Sequence, residues 1–160
     1  MKNIVMKRNN YDWIWIVSST LRYWAFSDLK KTEEFIQKNS LEGTATLYPL
    51  DVPVYDWAIK EEAFSVKKPH QQEAKFILNF SSASQPHFHF KNGSWNSTEA
   101  IDDKIECEYI VLQQVFCVMT RLGCFPSAVF SDKEKLNSWV RNLQSDPHII
   151  TVKVNSTSQL

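Results

Sequence analysis

The sequence predicts an α+β fold with a mainly antiparallel sheet and helices packed on it. Three observations carry that expectation. Short β-branched and aromatic runs alternate with amphipathic stretches of helical period. The order strand, turn, strand, helix, strand occurs twice, over residues 13–50 and again over 115–154. Each of the two helices opens on the same tripeptide, Phe26-Ser27-Asp28 and Phe130-Ser131-Asp132. The implied unit is ββαβ, a near-repeat inside a single domain spanning 1–160.

Residues 1–11 read as a polar leader. Residues 13–17 (WIWIV) are almost wholly apolar, the pattern of a buried strand, and 23–26 return as the second arm of a hairpin. Ser27 and Asp28 bring side-chain oxygens to the free N–H groups of a helix start. That helix runs to about Lys38, with Leu29, Phe35 and Ile36 on its apolar face and Lys30, Lys31, Glu33 and Glu34 in solvent. Residues 44–50 form a strand. Pro49 and Pro53 bracket a turn in which Asp51 and Val52 are candidate caps of a second helix, anchored by Trp57 with Val54 and Ala58.

Residues 61–73 are polar and read as a surface loop. Residues 76–80 (FILNF) alternate and are expected to form a strand, and 87–90 (HFHF) alternate strictly, placing both histidines on one face. Asn92-Gly93 is a turn dipeptide, and 94–103 is a polar loop. Residues 115–119 are strand-like, while 105–112 fit helix or strand. In the second copy the hairpin loop, 120–126, is three residues longer. Ser131 with Glu134 makes a capping box, and Leu136, Trp139, Val140 and Leu143 follow helical spacing. Residues 149–154 close the copy as a strand.

Composition narrows the function. Hydrophobic residues make up 43% and aromatics 13%, enough for a packed core. With only 3 glycines there is neither GxGxxG nor GxxxxGK[ST], so a glycine-rich phosphate cradle is excluded. The 18 basic residues balance 18 acidic ones, and no basic stripe points to nucleic acid. The three cysteines, Cys107, Cys117 and Cys124, are odd in number and lack a CxxC, which favours reduced thiols in the cytoplasm. No apolar run reaches membrane-spanning length.

Several residues are candidates for chemistry. His87 and His89 could hold a metal, with a third ligand from His70, Glu73 or the acidic residues of 99–108. The bland alternative leaves them on the polar face of an edge strand. Asp56 within Tyr55-Asp56-Trp57 could act as a base, but no partner group is identifiable. Ser81, Ser82 and Ser84 precede His87 without a nucleophile-elbow pattern. Cys117 reads as buried, and Cys124, beside Gly123, as the more reactive thiol.

The runs EGTATLYPLDVPVYDWAI (42–59) and FSSASQPHFHFKNG (80–93) resemble a family of small uncharacterised bacterial proteins with "GT-T-YP-DV-VYDWAI" and "F-SA-Q-H-HF-DG" blocks. The likeness covers about 13–93, and Ser127-Ala128-Val129-Phe130 carries part of it a second time. Trp24-Ala25-Phe26 departs from the family's Gly-Val-Phe. The resemblance implies a compact bacterial cytosolic domain and no particular activity.

The expectation is therefore a non-enzymatic protein-binding module without a cofactor, in concrete form an immunity- or antitoxin-like protein that masks a toxin. Its expected surface is acidic, with Glu99, Asp102, Asp103 and Glu106 steering a basic partner and Trp95 as the anchor. The alternative is a metal protein or enzyme using His87 and His89. A third reading is a homodimer that buries the aromatic surplus.

Overall fold

Apolar residues on both faces of a strand demand cover on both sides, and this sequence contains several such strands. A computed structural model of the chain describes residues 11–95, 112–120 and 125–157. The fold is α+β. The contacts divide it into two compact units. One contains the described residues up to Tyr48, those between Gln85 and Gln113, and those from Lys153 on; the other contains Pro49–Ser84 and those between Gln114 and Val152.

The first unit is a five-stranded sheet in the order β2-β1-β3-β4-β5. Strands β1 (Trp13–Ser19) and β2 (Arg22–Phe26) form an antiparallel hairpin pairing Trp15 with Phe26. Helix α1 (Leu29–Lys38) packs on both. Its N-cap is Asp28, whose carboxylate accepts the Lys31 N–H at 2.8 Å. Thr32, Phe35 and Ile36 are its buried face, and the Phe35 ring lies 5.1 Å from Trp24 and 5.0 Å from Phe26. Strand β3 (Gly43–Pro49) runs antiparallel to β4 (His87–Lys91), pairing Thr44 with His89 and Thr46 with His87.

Strand β5 (Ser94–Trp95) returns from β4 through Asn92-Gly93, both at positive φ (53° and 77°) as a two-residue hairpin requires. Gly43 is needed for another reason. A Cβ there would stand 2.0 Å from the Ser18 carbonyl oxygen of β1.

The second unit holds a three-stranded sheet in the order β7-β6-β8. Strands β6 (Gln114–Met119) and β7 (Pro126–Phe130) form an antiparallel hairpin with an irregular register at Val118/Met119. Strand β8 (Ile149–Lys153) lies on the other side of β6. Helices α2 (Val54–Lys60), α3 (Ala74–Leu78) and α4 (Lys133–Asn142) all contact β7, every residue of which is buried. Leu78, Val118, Ala128, Phe130 and Leu136 form one core cluster.

The two ββαβ sets match in detail. One sequence interval separates β2 from β7, α1 from α4, left-handed Ser40 from left-handed Gln144, and left-handed Asp51 from left-handed Asn155. In each set a helical aromatic packs on the last residue of the preceding strand: Phe35 on Phe26, and Trp139 on Phe130 at 5.6 Å. Each closing strand also ends in a similar clasp. In the second unit Leu50 bridges Val129, the Asp51 N–H donates to the Val129 carbonyl at 2.9 Å, and the Asp51 carboxylate takes the Ser131 N–H at 2.7 Å and the Ser131 hydroxyl at 2.5 Å. In the first unit Val154 bridges Ala25, the Asn155 N–H donates to the Ala25 carbonyl at 2.7 Å, and the Asn155 side-chain carbonyl takes the Ser27 N–H at 3.0 Å.

Three local expectations are corrected here. Residues 76–80 are not a strand: Phe76, Ile77 and Leu78 close helix α3, and Asn79 caps its end. The alternation of FILNF was misleading because only Leu78 of the five is fully buried. Helix α2 is not capped by Asp51 or Val52; Pro53 occupies the N-cap without a side-chain bond. The α4 cap is Asp132, whose carboxylate accepts the Glu134 N–H at 2.8 Å, while Ser131 is engaged by Asp51.

Asp51→Ala should lower stability by about 1–3 kcal/mol, because it leaves a part-buried N–H and hydroxyl unpaired, which corresponds to a Tm loss of roughly 3–10 °C in scanning calorimetry. Lys135→Ala should change it by less than about 0.5 kcal/mol, since that ammonium is exposed and 3.9 Å from Asp51. Gly43→Ala should be the most damaging of the three in the same calorimetric series, because its methyl meets backbone.

Candidate functional site

The residues singled out from the sequence fall in separate places. Trp95 ends β5, and Glu99, Asp102, Asp103 and Glu106 lie outside the described residues, as do Cys107 and Cys124. His87 and His89 stand on one face of β4, the first half-buried and the second exposed, while Phe88 and Phe90 enter the core. His70 and Glu73 belong to a different part of the chain, beside α3. Among the described residues no three His, Cys, Asp or Glu side chains are grouped closely enough to hold a metal together. Ser81 and Ser84 are exposed and Ser82 half-buried.

The histidine face has a defined geometry. The His87 Nδ1 lies 2.8 Å from the Gln85 carbonyl oxygen. Gln85 is itself buried, and its Nε2 donates to the Leu47 carbonyl at 3.2 Å. The His89 Nδ1 is 3.3 Å from the Thr44 hydroxyl. The two imidazoles are nearly perpendicular, with centres 5.5 Å apart.

The second unit carries an open groove of about 720 Å³, lined by His70, Glu73, Lys75, Phe76, Phe80 and Ser81 among others. Phe76 and Phe80 of its lining belong to an aromatic cluster. Phe64 lies 4.9 Å from Phe80 and stacks on Phe76 at 5.7 Å, and the buried Tyr55 meets Phe80 edge-on at 5.5 Å. The His70 ring stands edge-on to Phe76 at 5.8 Å. Phe64, Phe76 and Phe80 are only half-buried, so part of each side chain is open to solvent.

The turn that bears His70 is tied down by one glutamine. The Gln71 side-chain oxygen accepts the N–H groups of Lys67 and Lys68 at 2.7 and 3.0 Å, and its backbone carbonyl accepts the Tyr55 hydroxyl at 2.7 Å. Pro69 opens a 3-10 turn, Pro69–Gln72, directly before α3. Residues 61–73, expected as a surface loop, thus include a 3-10 turn and two groove residues, His70 and Glu73; the signal for the groove in the sequence is the recurrence of Phe64, Phe76 and Phe80.

Electrostatics separate the isolated candidates. Burial raises the Asp56 carboxyl from its ordinary value, although much of the residue remains exposed to solvent. Burial, reinforced by the Asp56 charge, also raises Tyr55. Cys117 is fully buried, and its thiol is pushed up to about 12. It is therefore protonated and unreactive at neutral pH.

A sequence profile for a domain of unknown function, DUF7710, matches residues 14–96, just over half of the chain. The chain belongs to the DUF7710 family. No curated protein and no solved structure matches it. The DUF7710 span contains both the histidine face and the whole aromatic groove. Among the described residues, no helix is long and apolar enough to cross a membrane.

Tyr55→Phe should cost about 0.5–1.5 kcal/mol of local stability, the ordinary worth of one hydrogen bond. Amide exchange at Lys67 and Lys68 should then speed up by as much as about tenfold. Cys117 should resist iodoacetamide in the folded chain and react once the chain is unfolded, as read by peptide mass mapping. The folded thiol titrates above the unfolded one, so its contribution to stability is complete below the unfolded value and lost as pH rises. Cys117→Ala should accordingly lose less stability than the parent chain between about pH 9 and 11.

Proposed function

We propose that this DUF7710 protein is a non-enzymatic protein-binding module that takes an acidic segment of another protein into the groove at Phe76 and Phe80. The observation that carries the reading is the half-exposed aromatic cluster beside the His70 turn, which Gln71 holds. Such a surface lets an incoming apolar side chain replace water on aromatic faces with little ordering cost on this side. An open groove flanked by exposed side chains suits an extended segment better than an enclosed small molecule.

Charge selects the segment. The lining itself pairs Lys75 with Glu73, and the exposed Lys67 and Lys68 precede His70 in the chain; on this reading those two lysines tip the preference toward carboxylates beside the apolar anchor. An immunity- or antitoxin-like role in the bacterial cytoplasm, with a toxin neutralised by direct binding, is the concrete form of this reading. The acidic residues Glu99, Asp102, Asp103 and Glu106 would then address a basic region of the same partner.

The test is a photo-crosslinking amino acid at Ser81 of the full chain, used in lysate of the native host. One protein partner should be captured, with the adduct in a segment carrying an aromatic or long aliphatic residue beside carboxylates. Lys75→Glu and Phe80→Ser should each cut the yield by about tenfold, as expected for loss of a central contact. The same probe at exposed Leu21 should give no such adduct. Equal capture from both positions, or a small molecule recovered from the groove in place of a protein, would overturn the reading.

A further inference from the structure

The histidine face of β4 carries a second inference, independent of the groove. A backbone carbonyl can only accept, so the hydrogen bond at 2.8 Å from His87 to Gln85 places the proton on Nδ1. In the neutral ring the lone pair is then on Nε2. This is the arrangement in which a metal-binding imidazole is oriented by an outer hydrogen bond. Gln85 is buried and held by Leu47, so the orienting carbonyl is fixed. His89 has its own Nδ1 contact, 3.3 Å from the Thr44 hydroxyl across the β3–β4 register.

Distance supports a shared ion. Imidazole nitrogens bind zinc at about 2.0–2.1 Å, so two rings on adjacent tetrahedral positions have centres roughly 5 Å apart. The observed separation of the two ring centres is 5.5 Å, close to that value. The strand itself is fixed, because Phe88 and Phe90 are buried on its other face and Phe88 packs on Trp15 at 5.7 Å.

We propose that His87 and His89 form an open two-imidazole site for a borderline divalent transition ion, with water or a ligand from outside completing the coordination. Two neutral nitrogen donors without a thiolate or carboxylate suit copper(II), nickel(II) and zinc, and affinity should follow copper above nickel and zinc. Thr44 and Gln85 act as positioning residues.

The full chain without an affinity tag should be titrated with copper sulfate and followed by calorimetry and electron paramagnetic resonance. One ion per chain should bind, with nitrogen hyperfine structure from two imidazoles. His87→Gln and His89→Gln should each weaken binding at least about tenfold, and Thr44→Val by a smaller factor. His70→Gln and His148→Gln should leave it unchanged. In the parent chain, substoichiometric copper should broaden the ring proton resonances of His87 and His89 before those of His70 and His148, a readout that needs no variant to fold. Absence of saturable binding, or a His87→Gln/His89→Gln protein that binds like the parent, would overturn the proposal.

Discussion

The arrangement depends on how each closing strand ends. At Asp51 and at Asn155 the backbone turns left-handed, at φ 63° and 59°. Neither residue is glycine, and both belong to the side-chain types that tolerate this region. The turn delivers a side-chain oxygen to the serine that stands one residue ahead of a helix cap. In the second unit that receptor is a carboxylate gripping both the N–H and the hydroxyl of Ser131; in the first it is an amide whose own Nδ2 donates to the Ser27 hydroxyl at 3.1 Å. The carboxylate version is the stronger, since charge-assisted hydrogen bonds are shorter and about twice as strong as neutral ones.

These clasps explain why one part of the fold was legible in the sequence and another was not. Strands β1, β2, β4, β6 and β7 and helices α1 and α4 follow local rules: apolar runs, strict alternation, helical spacing and an Asp beside the first turn. The Phe-Ser-Asp repeat was visible, but its serine was read as part of the cap. Its actual partner lies 80 residues away in one case and 128 in the other, and no local rule reports that. Asp51 was likewise assigned to the nearest helix start, because sequence proximity is the only partner a linear reading offers.

The error at 76–80 has a different source. A five-residue run with aromatics at alternate positions satisfies a strand template, and β propensity reflects context more than backbone preference. The chain decides by burial. Leu78 alone is fully covered, and Phe76 and Phe80 meet Phe64 and Tyr55 from a helical turn and the residues after it. The same five residues that disguised a helix thereby supply the half-buried aromatics of the groove. Composition had registered the aromatic surplus without its location.

The family span and the structural foundation of the groove do not coincide. Residues 14–96 supply every side chain that lines it. Yet helix α3, which carries Phe76, is seated through Leu78 on Val118, Ala128, Phe130 and Leu136, all beyond that span. Helix α4 offers only Leu136 as a fully buried residue, whereas α1 buries Thr32, Phe35 and Ile36. The helix of the second ββαβ set is therefore the less buried of the two, while its strands and Leu136 pack against Leu78 of α3. Deleting core contacts of this kind costs several kcal/mol in general, so changes at Val118 or Ala128 reach the groove without touching it. In this chain the later residues act on the candidate site as its support, while the lining, with Phe76 and Phe80, lies within 14–96.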